Sequence, residues 1–348
     1  EMVNCAGPLH LGWFGVCAFY TISAHQGKYI SSRSEASVLR EIDRIIAMPG
    51  FKGYISDLGG PSANMYRMTG KKPQACRVCK RPSCLWPSVC PNMQVDHRPL
   101  LHLYRAVDAK AGIKRSFIGS GVRYDLLLHR NDDEVLNAAS REYTRELITR
   151  HVSGRLKVAP EHTSSRVLYC MRKPGFGLFE QFRTIFERIN REEGLNQQLI
   201  PYFISSHPAC EAADMAELAA ITKSLHFHLE QVQDFTPTPM TLATEMYYTG
   251  YDPHTGERVY TAHTAEEKLA QRQFFFWYKP EARRGIEQAL RRMGREDLLV
   301  KLYGPGAAAR CRDVSEREAG RKTKVSSYNP NFNAAKRREA MKLKNRKK

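Results

Sequence analysis

Strand-like and helix-like segments alternate between residues 34 and 235, and this alternation leaves few folds open to the chain. Residues 34–48 read as a helix with Val38, Leu39, Ile42, Ile45 and Ile46 on one face. Strand patterns at 51–56, 116–119, 155–159, 199–205 and 232–235 then alternate with helical patterns near 100–109, 133–151, 179–193 and 213–225. Short connections in such an order imply parallel strands joined by right-handed crossovers. Each strand runs out into Gly, Pro, His or other polar residues. In a barrel these ends share the one rim that carries chemistry. Five strands are too few for a closed eight-stranded barrel. An open, partial barrel fits better than a doubly wound sheet, although periodicity alone does not separate the two.

Past Pro239 the pattern loosens into helical stretches at 265–277 and 280–294, with the aromatic run Phe274–Tyr278 reading as helix packing. The expected organisation is a barrel over 1–250 with an insertion at 70–98, a helical region over 251–304, and a basic, disordered tail over 305–348.

That insertion holds the densest chemistry. Cys76, Cys79, Cys84 and Cys90 fall within fifteen residues, stiffened by Pro82, Pro87 and Pro91. Thiolates so close in sequence can converge on one soft cation with little loop-closure cost. Their spacing suits zinc or an auxiliary iron–sulfur cluster, with the four sulfurs expected within roughly 4 Å of one another. Asp96-His97 offers a supporting partner. Cys170, Cys210 and Cys311 are isolated thiols. An odd total of nine cysteines in a long chain argues for reduced thiols, and hence for a cytoplasmic compartment.

The formal net charge is +18, but residues 310–348 alone carry 14 Lys/Arg against 4 Asp/Glu. The excess belongs to the tail, which can contact RNA or another acidic surface, although a solvated extension is the plainer reading. No apolar run reaches the length of a membrane span and no secretory leader is visible. The chain starts at Glu1, which suggests a piece of a longer protein.

Several segments resemble the YgiQ-type radical S-adenosylmethionine (SAM) proteins. They are Asp57–Tyr66 with the four cysteines, Ser120–Asp125, Lys157–His162, Pro201–Pro208, Gln231–Pro239, Met246–Gly250 and Gly294–Leu298, all in order. The resemblance implies an α/β fold, an open partial (β/α)6 TIM-like barrel of radical SAM type, and a further N-terminal domain in the family. It implies a 4Fe–4S cluster held by a Cys-x3-Cys-x2-Cys loop, with SAM chelated on the open iron and cleaved reductively. A Gly59-Gly60 turn would meet the SAM amino group. From the strand ends, Ser120, Arg123, Asp125, Glu161, His162, His207 and Gln233 are expected to line the pocket.

The sequence departs from the family pattern in the cluster loop. Gly12-Trp-Phe-Gly-Val-Cys17-Ala-Phe-Tyr20 keeps Cys17 but places Trp13 and Tyr20 at the first and third cysteine positions. The segment before it, Asn4–His10, is a poor first strand. The expectation is a radical SAM-type protein impaired in SAM cleavage. The other reading is a non-catalytic metal-binding or RNA-associated protein that kept the barrel and the four-cysteine loop.

Overall fold

The structure, a computed structural model, describes residues 5–307; Cys311 and the basic tail from 308 lie outside the described residues. The chain divides into two compact units, residues 1–289 and 290–348.

In the first unit, helix α1 (Glu35–Ile46) begins where Ser34 accepts the Ser37 amide on its hydroxyl, and it buries Val38, Ile42 and Ile45. Strand β1 (Tyr54–Ile55) leads through the cysteine-rich insertion to helix α2 (Arg98–Asp108) and strand β2 (Arg115–Ser116), which pairs parallel with β1. Helix α3 (Glu134–Glu146), capped by Asp133, ends in a π-helical turn at Leu147–His151. Strand β3 (Arg155–Glu161), helix α4 (Phe176–Glu192), strand β4 (Gln198–Ser205), helix α5 (Ala212–Ser224) and strand β5 (Gln231–Asp234) follow. These three strands form a parallel sheet in the order β3-β4-β5.

The architecture is therefore mixed α/β, with parallel pairing where the alternation demanded it. Among the described residues none of the small sheets closes into a barrel. Of the weak first segment, residues 5–9 form no regular strand, yet they run beside the residues that follow β1. The Ala6 amide donates to the Asp57 carbonyl at 3.1 Å and the Leu9 amide to that of Gly59 at 2.8 Å.

The β3–β4 register shifts between Val158 and Glu161, near Pro160 of β3 and Pro201 of β4. A proline cannot donate to the ladder, so a bulge is the expected outcome. The bulge leaves Glu161 in a left-handed backbone conformation (φ 67°) with its side chain wholly buried.

One core binds α1, α2, the π turn and α4 to the strands, with Ile42, Leu103, Tyr143, Phe179 and Phe182 fully buried. Helices α6 (Leu242–Thr249), α7 (Ala265–Arg272) and α8 (Pro280–Arg292) follow β5. In the second unit, helix α9 (Glu296–Tyr303) follows a turn at Gly294.

Phe203, at the centre of β4, is fully buried. Phe203→Ala is expected to lower unfolding free energy by about 3–5 kcal/mol, measured by urea titration.

Candidate functional site

The loop of residues 12–20 sits against the ends of both parallel pairings and is pinned along its length. Gly12 has a positive φ of 88°, and a Cβ there would fall 1.9 Å from the Tyr29 carbonyl oxygen, so only glycine fits. The Trp13 amide donates to Gly27 O, the Ala18 amide to Met171 O, and the Cys84 amide to Phe14 O. This last bond ties the loop to the four-cysteine insertion.

Within the loop, Trp13 and Tyr20 occupy the space where two further thiols were to be expected. Their rings meet edge to face with centroids 6.3 Å apart. Cys17, buried, lies 3.9 Å from Arg123 Nη1. The Arg123 guanidinium sits 5.9 Å from the Trp13 ring and forms a bidentate pair with Asp125, with Nε donating to Oδ1 at 2.8 Å. Asn64 brackets the Arg123 backbone by accepting from its amide and donating to its carbonyl. Burial opposes charge on Asp125, yet the Arg123 charge and hydrogen bond hold its carboxyl below the usual range.

A second buried ion pair closes the other side. Glu161 Oε1 accepts from Lys173 Nζ at 2.9 Å and from the Tyr20 hydroxyl at 3.1 Å. The Tyr20 phenol is pushed well above its ordinary pKa, first by burial and then by the Glu161 charge. Lys173 also lies 5.4 Å from the Tyr20 ring. Between these pairs opens a cavity of about 340 Å³ lined by Trp13, Tyr20, Arg123, Lys157, Lys173 and Tyr202 among others. With Arg123 and Lys173 engaged by carboxylates, Lys157 and several aromatic faces suit a small ligand with an anionic group and a flat apolar part.

The expected rim residues divide. Arg123 lines the cavity, and Glu161 buttresses it from behind. Gln233 accepts the hydroxyl of the cavity residue Tyr202 at 2.6 Å. Ser120 instead donates to Asp57 Oδ2 at 2.6 Å and knits the ends of the β1 and β2 segments together. Gly59 and Gly60 serve close packing. A Cβ on Gly59 would lie 2.2 Å from Ser120 Oγ, and one on Gly60 would lie 2.9 Å from the His10 ring. His207 is buried edge-on between Phe19 and Phe235, its Nδ1 donating to the Pro208 carbonyl. His162 accepts the Ser164 amide on Nδ1 and places Nε2 3.5 Å from Cys210 Sγ. Cys210 is thus paired rather than isolated.

Sequence reading passed over Lys173, Tyr202 and Gln271. Gln271 of α7 accepts the Ser206 amide and donates to the Cys210 carbonyl, holding the end of β4. Lys157 stood inside a matched segment and points outward in the alternation of β3, a signal that strand parity could have supplied, whereas β4 is buried along nearly its whole length and offers no such signal for Tyr202.

The four-cysteine insertion departs from expectation. Among the described residues, no three His, Cys, Asp or Glu side chains are already arranged to hold a metal ion. Cys76, Cys79, Cys84 and Cys90 instead wall a second cavity of about 360 Å³. Each is held by its own local contacts. Cys76 Sγ accepts from Asn92 Nδ2 at 3.1 Å, and Cys79 Sγ, exposed, accepts the Arg81 amide at 3.4 Å. Burial, and then the neighbouring cysteines, push the Cys84 thiol up to about 11. His97 packs on Tyr143 and bonds Ser140 through Nδ1, so it takes no part in the cysteine cavity.

Removing one member of a buried ion pair strands its partner. Lys173→Met is expected to cost about 3–5 kcal/mol of unfolding free energy. Tyr20→Phe removes one hydrogen bond and should cost about 1 kcal/mol. Denaturant titration of both variants checks the ranking. Burial also lowers His10 and His162 to about 4, and His97 and His207 to about 3. Below about pH 6.5 the unfolded chain therefore binds more protons than the folded one. Stability is expected to be full above that pH and to fall as pH drops toward 4 and then 3. A pH series of denaturation midpoints should show this, with a shallower slope in His97→Phe.

Residues 230–346 match the family model described as "Domain of unknown function (DUF3362)". Over 304 residues the chain is 66% identical to a UPF0313 protein of Bacteroides thetaiotaomicron, covering 87% of this chain and 49% of that protein. A UPF0313 protein of Porphyromonas gingivalis is 62% identical over 310 residues, covering 89% of this chain and 49% of its own length. One from Methanocella arvoryzae is 44% identical over 290 residues, covering 83% and 47%. The chain is thus a homologue of the UPF0313 proteins, the family of the YgiQ-type proteins, and it spans about half the length of the curated relatives it matches.

Proposed function

We propose that this chain is the barrel-bearing part of a radical SAM-type protein that binds a SAM-like ligand but no longer cleaves it. The observation that carries this reading is the Trp13–Tyr20 ring contact beside Cys17. A cluster able to activate SAM needs three thiolates and one open iron. The loop offers the single thiol of Cys17, with an indole and a carboxylate-bound phenol where two more would stand. The Trp13 indole nitrogen is buried without a hydrogen-bond partner among the described residues. These residues do not fit a 4Fe–4S cluster.

The open partial barrel is part of the proposal. Parallel pairing of β1 with β2 and of β3 with β4 and β5 supports it, as do two strand ends that meet one loop through Arg123 and Glu161. A SAM-like ligand is favoured by the cations and aromatic rings of the cavity between them. Its carboxylate would meet Lys157 or Lys173, and its adenine an aromatic face. A cytoplasmic setting agrees with eight described cysteines that are all free thiols. The reduced chain is then a binding protein on an enzyme's scaffold.

Anaerobic reconstitution with iron and sulfide, followed by dithionite and SAM, tests this. The expected yield of 5′-deoxyadenosine is no higher than that of Cys17→Ala. Equilibrium dialysis should still detect SAM, with affinity weakened about tenfold in Lys157→Ala. The double variant Trp13→Cys/Tyr20→Cys is expected to gain iron and sulfide that depend on Cys17. Cleavage by the unaltered chain would overturn the proposal.

A further inference from the structure

The insertion between β1 and α2 gathers a second set of soft donors, independent of any SAM binding. We infer that Cys76, Cys79, Cys84 and Cys90 close on a single zinc ion that staples the insertion. Four sulfurs from one loop wall the same cavity, which is an unusual concentration of soft donors in a chain of this size. All eight described cysteines are free thiols, so no disulfide competes for them.

The backbone sets the four cysteines in two local turns. Cys76 sits in the short helix Pro73–Arg77, and the Cys79 amide turns back to donate to the Cys76 carbonyl at 3.2 Å. Cys84 and Cys90 are tied by a 2.7 Å bond from the Cys90 amide to the Cys84 carbonyl. The two halves are thus separate turns that line the same cavity.

Other groups already serve the thiolates. The Asn92 amide and the Arg81 backbone N–H donate to the sulfurs of Cys76 and Cys79. Such N–H···S bonds orient sulfur ligands and offset their charge. Four thiolates around Zn²⁺ carry a net charge of −2, and Lys28, Arg77 and Arg81 line the same cavity to balance it. Among the described residues no three ligands are yet in place, so binding draws the sulfurs inward. Cys79, exposed on its turn, has the most freedom to move. Each bound cysteine releases its thiol proton, and the metal–sulfur bond replaces the S–H bond with no change of oxidation state.

The consequence reaches the Trp13 loop. The Cys84 amide holds the Phe14 carbonyl at 3.1 Å, and Cys84, Cys90, Trp13 and Phe14 share one apolar cluster with Met68 and Met93. Zinc at the insertion therefore stiffens the floor of the neighbouring cavity without touching it.

The test uses the full chain purified from zinc-supplemented cells. About one zinc per chain is expected by elemental analysis, with cobalt substitution giving an intense thiolate-to-cobalt charge-transfer band. Cys79→Ser, which alters an exposed side chain and spares the core, should weaken zinc binding at least roughly tenfold with unchanged far-ultraviolet circular dichroism. Cys17→Ser, outside the insertion, should leave zinc content unchanged. Wild-type chain without zinc, whose insertion thiols react equally fast with and without chelator, would overturn the inference. So would iron and sulfide in place of zinc. SAM binding or its absence changes neither outcome.

Discussion

Two ion pairs buried at the ends of the parallel strands hold the centre of this molecule together. Arg123–Asp125 and Lys173–Glu161 are each nearly sealed from solvent. Neither charge could stand there alone, because an unpaired buried ion costs several kcal/mol. Each therefore needs its partner in place, and each pair recruits part of the loop between them. Arg123 reaches Cys17 and the Trp13 ring, while Glu161 takes the Tyr20 hydroxyl. Strand ends far apart in sequence are joined through residues 13–20.

The bulge in β3 belongs to the same arrangement. With a proline interrupting the ladder, Glu161 turns into a left-handed conformation that an ordinary residue holds only when surrounding contacts compel it. Lys173 and Tyr20 are those contacts. Tyr20 is thereby a structural member of a buried network.

The four-cysteine insertion and the Trp13 loop lie back to back, sharing the Phe14 carbonyl and a methionine-rich cluster. The bond from the Cys84 amide to the Phe14 carbonyl ties the cavity-lining loop to the insertion. In this chain the insertion holds more thiols than the site it supports.

Much of the architecture was legible in the residues themselves. The 3.6-residue stripe Val38, Leu39, Ile42, Ile45 and Ile46 and the apolar run at 199–205 became α1 and β4 almost where expected, because apolar periodicity reports directly on which face must be buried. That Trp13 and Tyr20 supply no thiol was equally plain, since ligand chemistry is a property of residue type. Partnership was not legible. Ser120 and His207 sit at strand ends as expected, but whether a polar side chain turns to a ligand or to a neighbouring strand depends on distances that only folding creates. Lys173 and Gln271 carry no local signal of their roles, as their partners lie 12 and 65 residues away in Glu161 and Ser206. Sequence determined which groups could be charged, soft or apolar. Tertiary structure decided which of them meet, because burial and pairing arise only when distant segments share one interior.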